Sequence, residues 1–137
     1  LKLEAAFGAD ELDEVETVID PIEAEYAELL RQQADQRIRI SMLDTISFTT
    51  HIVKRSPVLQ RFARHPVFTG LCYDLLGERV RLYWDQSVYK KSSKPKEFPW
   101  HQDNGYTFIE PQQYLTCWVP LNDVDEMNGC PWIAPGL

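Results

Sequence analysis

Gly77-Glu78-Arg79-Val80-Arg81-Leu82-Tyr83-Trp84-Asp85-Gln86-Ser87-Val88-Tyr89 is where the chain changes its hydrophobic period. From Val80 onward the period is two. Val80, Leu82, Trp84, Gln86 and Val88 share one face, and Arg81, Tyr83, Asp85, Ser87 and Tyr89 share the other. Before Gly77 the period is helical: Val67, Phe68, Leu71, Cys72 and Leu75 form one stripe. Gly77 stands where a helix C-terminal cap belongs. Helices therefore come first and strands after, which makes the chain α+β.

Upstream, Asp20-Pro21-Ile22-Glu23 reads as a helix start. Asp caps, Pro takes the first helical position, and Glu stands three residues after the cap. Ile22, Tyr26, Leu29 and Leu30 give that helix its apolar face, and a shorter helix is expected over Glu11 to Ile19. One long helix bent at Pro21 is the alternative. From Ile38 to Ser47 the pattern fits alternation and helix equally. Ser56-Pro57 opens another short helix, and His65-Pro66 interrupts it. Downstream, Ser92 to Pro99 is a polar loop. Further strands are expected near Tyr114 to Leu121 and near Pro131 to Ala134, with a turn over Asp123 to Gly129 between them. Residues 1–137 are expected to form one domain, mainly helical over 1–77 and strand-rich over 78–137.

The chain has 137 residues, enough for one domain with a core. It carries 14 Lys+Arg against 21 Asp+Glu, net −7, which argues against nucleic acid as a partner. No apolar run reaches the length of a membrane span. Cys72, Cys117 and Cys130 are odd in number and lack CxxC spacing. They suit a reducing compartment, so a cytoplasmic location is expected, and they read as small apolar core residues. The first residue is Leu1 and the last residues are Pro135-Gly136-Leu137, so the chain is expected to be part of a longer protein.

The candidate chemistry lies at Phe98-Pro99-Trp100-His101-Gln102-Asp103-Asn104-Gly105-Tyr106. In extended chain, side chains two apart point the same way. His101 and Asp103 can thus reach one point. An imidazole nitrogen and a carboxylate oxygen are two of the three ligands of the facial triad of non-haem Fe(II) oxygenases. Spacing alone is equally compatible with a hydrogen-bonded surface pair. Trp100 and Tyr106 bracket the motif and could wall off water.

The segment from Pro99 to Gly136 resembles the phytanoyl-CoA dioxygenase family of Fe(II)/2-oxoglutarate oxygenases. The likeness rests on His101-Gln102-Asp103, Trp118, Asp123-Val124-Asp125, Asn128-Gly129 and Pro135-Gly136-Leu137, in the family's order and spacing. It implies N-terminal helices packed on a partial double-stranded β-helix, the jelly-roll or cupin-like core. It implies Fe(II) held by His101 and Asp103, and 2-oxoglutarate touched by Gln86 and Trp118. The mostly apolar face with Gln86 is expected to be buried, and a buried polar side chain wants a partner; a backbone group for Gln86 and plain core packing for Trp118 are the alternatives. Tyr106 and Lys90 are candidate substrate contacts. The alternative for Tyr106 is a half-buried aromatic with a wet hydroxyl, and for Lys90, with Lys91, Lys94 and Lys96, a solvated loop is the favoured reading, because surface lysines usually face water.

The resemblance also implies a second His and a basic residue beyond residue 137. His65, before Pro66 at a helix junction, reads as a cap or a surface residue, and His51 lies on a polar stretch; a ligand role is the lesser reading for either. The activity implied is hydroxylation of a small organic substrate by O2, with release of succinate and CO2. Related halogenases replace the motif carboxylate with a small residue, so Asp103 favours hydroxylation. A metal-dependent cupin-like hydrolase or isomerase and a non-catalytic binding module are the competing functions.

Overall fold

The computed structural model describes residues 1–91 and 97–136, and of Asn104 and Tyr106 the backbone alone. Helix α1 runs unbroken over Ala9–Arg31. The Glu11 carboxylate accepts the Gly8 N–H at 2.8 Å and so satisfies one of the donors left over at the helix start. The Asp20-Pro21 start is not used, and the single long helix is what forms. Pro21 lies on the exposed side, where water can serve the carbonyl it leaves unpaired. The buried stripe continues past it through Val15, Ile19, Ile22 and Leu30.

The segment open between strand and helix forms strands. β1 (Arg37–Ile38), β2 (Ser41–Met42), β3 (Ile46–Thr50) and β4 (Gln86–Lys90) make one antiparallel sheet in that order. Between β3 and β4 come a 3-10 turn at Ile52–Arg55, α2 (Pro57–Phe62) and α3 (Pro66–Leu76). The expected caps are in place. Ser56 Oγ accepts the Val58 N–H at 3.1 Å, and His65 Nδ1 accepts the Val67 N–H at 3.2 Å. Gly77 ends α3 at φ 96°, a conformation that only glycine adopts freely.

The strand expected from Val80 begins only at Gln86. The ladder pairs Ile46 with Lys90 at one end and Thr50 with Gln86 at the other. The His51 N–H still reaches the Asp85 carbonyl at 2.9 Å, but the chain then coils into the 3-10 turn at Ile52. Among the described residues no strand pairs with residues 80–84, and without a paired strand there is no ladder. The segments 114–121 and 131–134 likewise carry no ladder among the described residues. The second half therefore holds β4 rather than a series of strands, and the sheet is small and antiparallel.

The alternating face is also reversed from expectation. Gln86 and Val88 point away from α1, with Val88 39% exposed. Ser87 and Tyr89 point toward it, opposite Thr49 and Ser47 of β3. This face carries hydroxyls because α1 presents carboxylates to it. Ser47 Oγ donates to Glu23 Oε1 at 2.5 Å, and Tyr89 O–H donates to Asp20 Oδ1 at 2.6 Å. Lys91 Nζ lies 3.5 Å from the same Glu23 oxygen. Beside this polar seam Val15, Ile19, Ile22, Ile52 and Leu59 form the core, flanked by Val18, Val53, Phe62 and Leu121. The cysteines are free and lie outside it: Cys72 and Cys130 are half-buried and Cys117 is exposed.

The Tyr89 phenol is pushed above its ordinary value by burial first, then by its bond to Asp20 and the nearby Asp20, Glu23 and Glu16 charges. The folded chain keeps this proton at a pH where the unfolded chain has released it. Stability should therefore be complete below about pH 10 and fall as the pH rises beyond it. Tyr89→Phe should flatten that alkaline fall in urea unfolding midpoints measured against pH.

Candidate metal centre

The sheet face turned away from α1 carries Phe48 on β3 opposite Val88 on β4. Phe98 sits against Phe48 with ring centroids 5.5 Å apart. The His101 ring meets Phe98 edge-on, at 5.1 Å and 81°. The H-x-D loop is thus seated on the sheet through two aromatic contacts, tilted at Phe48 and edge-on at His101.

Two hydrogen-bond distances orient the His101 ring. Its Nδ1 is 2.8 Å from the Pro99 carbonyl oxygen, and its Nε2 is 3.0 Å from Asp103 Oδ1. A carbonyl only accepts, so Nδ1 carries the proton there. Nε2 then faces a carboxylate oxygen, and either a second proton or a cation must lie between them. Around one metal ion, ligands at right angles and about 2.1 Å from the metal stand about 3.0 Å apart. The observed separation equals that edge, and it is equally the length of an ordinary hydrogen bond between the two groups, the surface pair that spacing alone also allows. The Nδ1 contact is the outer bond that metal-bound histidines use to fix ring orientation. The donor set, one imidazole and one carboxylate, fits Fe(II).

Among the described residues no group of three or more His, Cys, Asp or Glu side chains could hold a metal ion. His65 is spent at the start of α3, its Nε2 3.3 Å from Glu11. His51 packs edge-on against Trp84 at 4.7 Å, with Nδ1 4.0 Å from Asp85 Oδ2. Neither joins His101.

The other candidates are placed as follows. Gln86 is exposed, contrary to the burial expected of it, and its Oε1 accepts the Trp84 Nε1–H at 3.0 Å. It lies on the same sheet face as Phe48 and Val88, the face that carries the loop. Trp118 is 51% exposed and is not packed into the core. The Tyr106 backbone ends the 3-10 turn Asp103–Tyr106, and its side chain lies outside the described atoms, as do Lys94 and Lys96. Trp100 is 71% exposed and walls off nothing within the described residues. Lys90 Nζ donates to the Gly129 carbonyl at 2.9 Å and so ties the 123–130 turn to β4. Sequence reasoning did not single out Phe98. An aromatic three residues before the motif His was the available signal.

The chain belongs to a family of dioxygenases. The family model described as Phytanoyl-CoA dioxygenase (PhyH) matches residues 1–136. The phytanoyl-CoA dioxygenase of Arabidopsis thaliana is 29% identical over 80 residues, 58% of this chain and 28% of the relative. Phytanoyl-CoA dioxygenase 1 of Oryza sativa subsp. japonica is 28% identical over 80 residues, with the same shares. The matched stretch thus spans little more than a quarter of these curated relatives. No solved structure matches the chain significantly. No described helix is long and apolar enough to cross a membrane.

The turn docked by Lys90 has its own test. Gly129 has φ +97°, and a Cβ there would stand 3.0 Å from Lys90 Cδ. Gly129→Ala should cost about 1–2 kcal/mol of stability from backbone strain alone. Chemical denaturation of the two proteins measures it.

Proposed function

We propose that the chain is part of a non-haem Fe(II)/2-oxoglutarate-dependent dioxygenase that hydroxylates a small organic substrate, consuming O2 and releasing succinate and CO2. The carrying observation is the 3.0 Å approach of His101 Nε2 to Asp103 Oδ1 while Nδ1 is bound to Pro99. His101 and Asp103 would hold the iron. Bound Fe(II) supplies O2 activation coupled to oxidative decarboxylation of the keto acid. The third ligand, a His, and the basic partner of the far carboxylate would come from residues after 137. Family membership and the relatives' greater length support that reading.

The chain's own residues then orient and shield. Phe98 and the Pro99 carbonyl hold the His101 ring. Gln86, on the same sheet face, would meet the cosubstrate, and Trp118 would line its pocket. Tyr106 would face the substrate. Lys90 spends one of its three N–H donors on Gly129 and keeps others for a substrate anion. The free thiols support a reducing, cytoplasmic setting.

The complete polypeptide, loaded with Fe(II), should release succinate only when 2-oxoglutarate and O2 are present. His101→Ala and Asp103→Ala should each lower that rate by more than about 100-fold. Turnover of a substrate without any keto acid would point instead to a metal-dependent hydrolase or isomerase. Near wild-type rates in Asp103→Ala would remove that carboxylate from the metal.

A further inference from the structure

We propose that Trp84 is a positioning residue that decides which end of the Gln86 amide meets the cosubstrate; this rests on the 2-oxoglutarate reading above. The indole Nε1–H only donates. It donates to Gln86 Oε1 at 3.0 Å. The carbonyl end of the amide is therefore spent on Trp84, and the NH2 end, with two donors, is left for a ligand. A carboxylate only accepts, so this is the complementary end. The flipped amide would set a carbonyl against a carboxylate, acceptor against acceptor.

Trp84 is itself held from behind. Its ring lies edge-on to His51 at 4.7 Å and 63°. His51 adopts the left-handed conformation, φ 58° and ψ 35°, which a non-glycine side chain keeps only when its surroundings enforce it. Those surroundings are on Asp85, the residue that follows Trp84. Its carbonyl accepts the His51 N–H at 2.9 Å and its Oδ1 accepts the Val53 N–H at 2.8 Å. The Asp85 side chain is only 14% exposed. Chain reversal at His51 and the indole's position are thus one clamp, and Gln86 follows immediately as the first residue of β4. The amide end left to a ligand at Gln86 is a pair of donors, which suits the carboxylate of 2-oxoglutarate.

Trp84→Phe keeps the ring against His51 and removes the N–H. With the complete Fe(II)-loaded protein, KM for 2-oxoglutarate should rise about three- to tenfold, the worth of one hydrogen bond, while kcat stays within about twofold. Fe(II) affinity should not change, since the His101 and Asp103 donors are untouched. In a Gln86→Leu background the Trp84→Phe substitution should add nothing further. An unchanged KM in Trp84→Phe, or an undiminished effect in the Gln86→Leu background, would overturn the proposal. A readout without turnover separates it from the oxygenase reading. The Trp84 indole N–H resonance of the metal-free protein should move upfield in Gln86→Leu. An unmoved resonance would deny the contact, whether or not the protein oxidises anything.

Discussion

Glu23 is 5% exposed, accepts a 2.5 Å hydrogen bond from Ser47 and has Lys91 3.5 Å from the same oxygen. A carboxylate that deep is costly without partners, so the segments that supply them are bound to it. Ser47 comes from β3 and Lys91 from the residue just after β4. One side chain of α1 therefore fixes both long strands at once. It also fixes which way they face: Ser47 turns to the helix, and strand alternation and pairing carry Thr49, Ser87 and Tyr89 to the same side. Phe48, Val88 and Gln86 are left on the opposite side by the alternation of the strand.

That opposite side carries the loop with the candidate metal ligands. Phe48 receives Phe98, and Phe98 receives His101. The loop bearing the H-x-D motif is not part of the ladder, so these ring contacts and the Pro99 carbonyl do the orienting. The mainly apolar core lies on the other side, among α1, α2 and the 3-10 turn. Structure and proposed chemistry are thus segregated across a sheet whose long strands, β3 and β4, each run only five residues.

Local signals were legible in the sequence and long-range ones were not. Ser56-Pro57, His65-Pro66 and Gly77 announce helix ends through their own dihedral preferences and side-chain acceptors, and all three serve as read. Asp20-Pro21 carries the same local signal but is overruled, because the apolar stripe through Val15, Ile19 and Ile22 continues across it and Asp20 is claimed by Tyr89. Strand content is a matter of partners. The alternation from Val80 is genuine, but the turn at His51 leaves those residues nothing to pair with. For the same reason Gln86 could be placed on a strand from sequence, whereas its exposure depended on which face α1 covers.

At the site, His101 and Asp103 were readable as a pair from their spacing, although the structure brings them together at the entry to a 3-10 turn and not in extended chain. Trp84 and the Pro99 carbonyl were not, since each acts through a contact with no sequence signature, and Phe98 offered only its place three residues before the motif His. The family resemblance carried the reading further than spacing could, and the match over residues 1–136 supports it.

The most direct measurement is the anomalous-scattering map of crystals of the complete protein grown with Mn(II) in place of Fe(II). The account predicts one metal peak bonded to His101 Nε2 and an Asp103 oxygen at about 2.0–2.2 Å each, with Nδ1 still on the Pro99 carbonyl. A peak elsewhere, with His101 and Asp103 still bonded to each other at saturating metal, would contradict it.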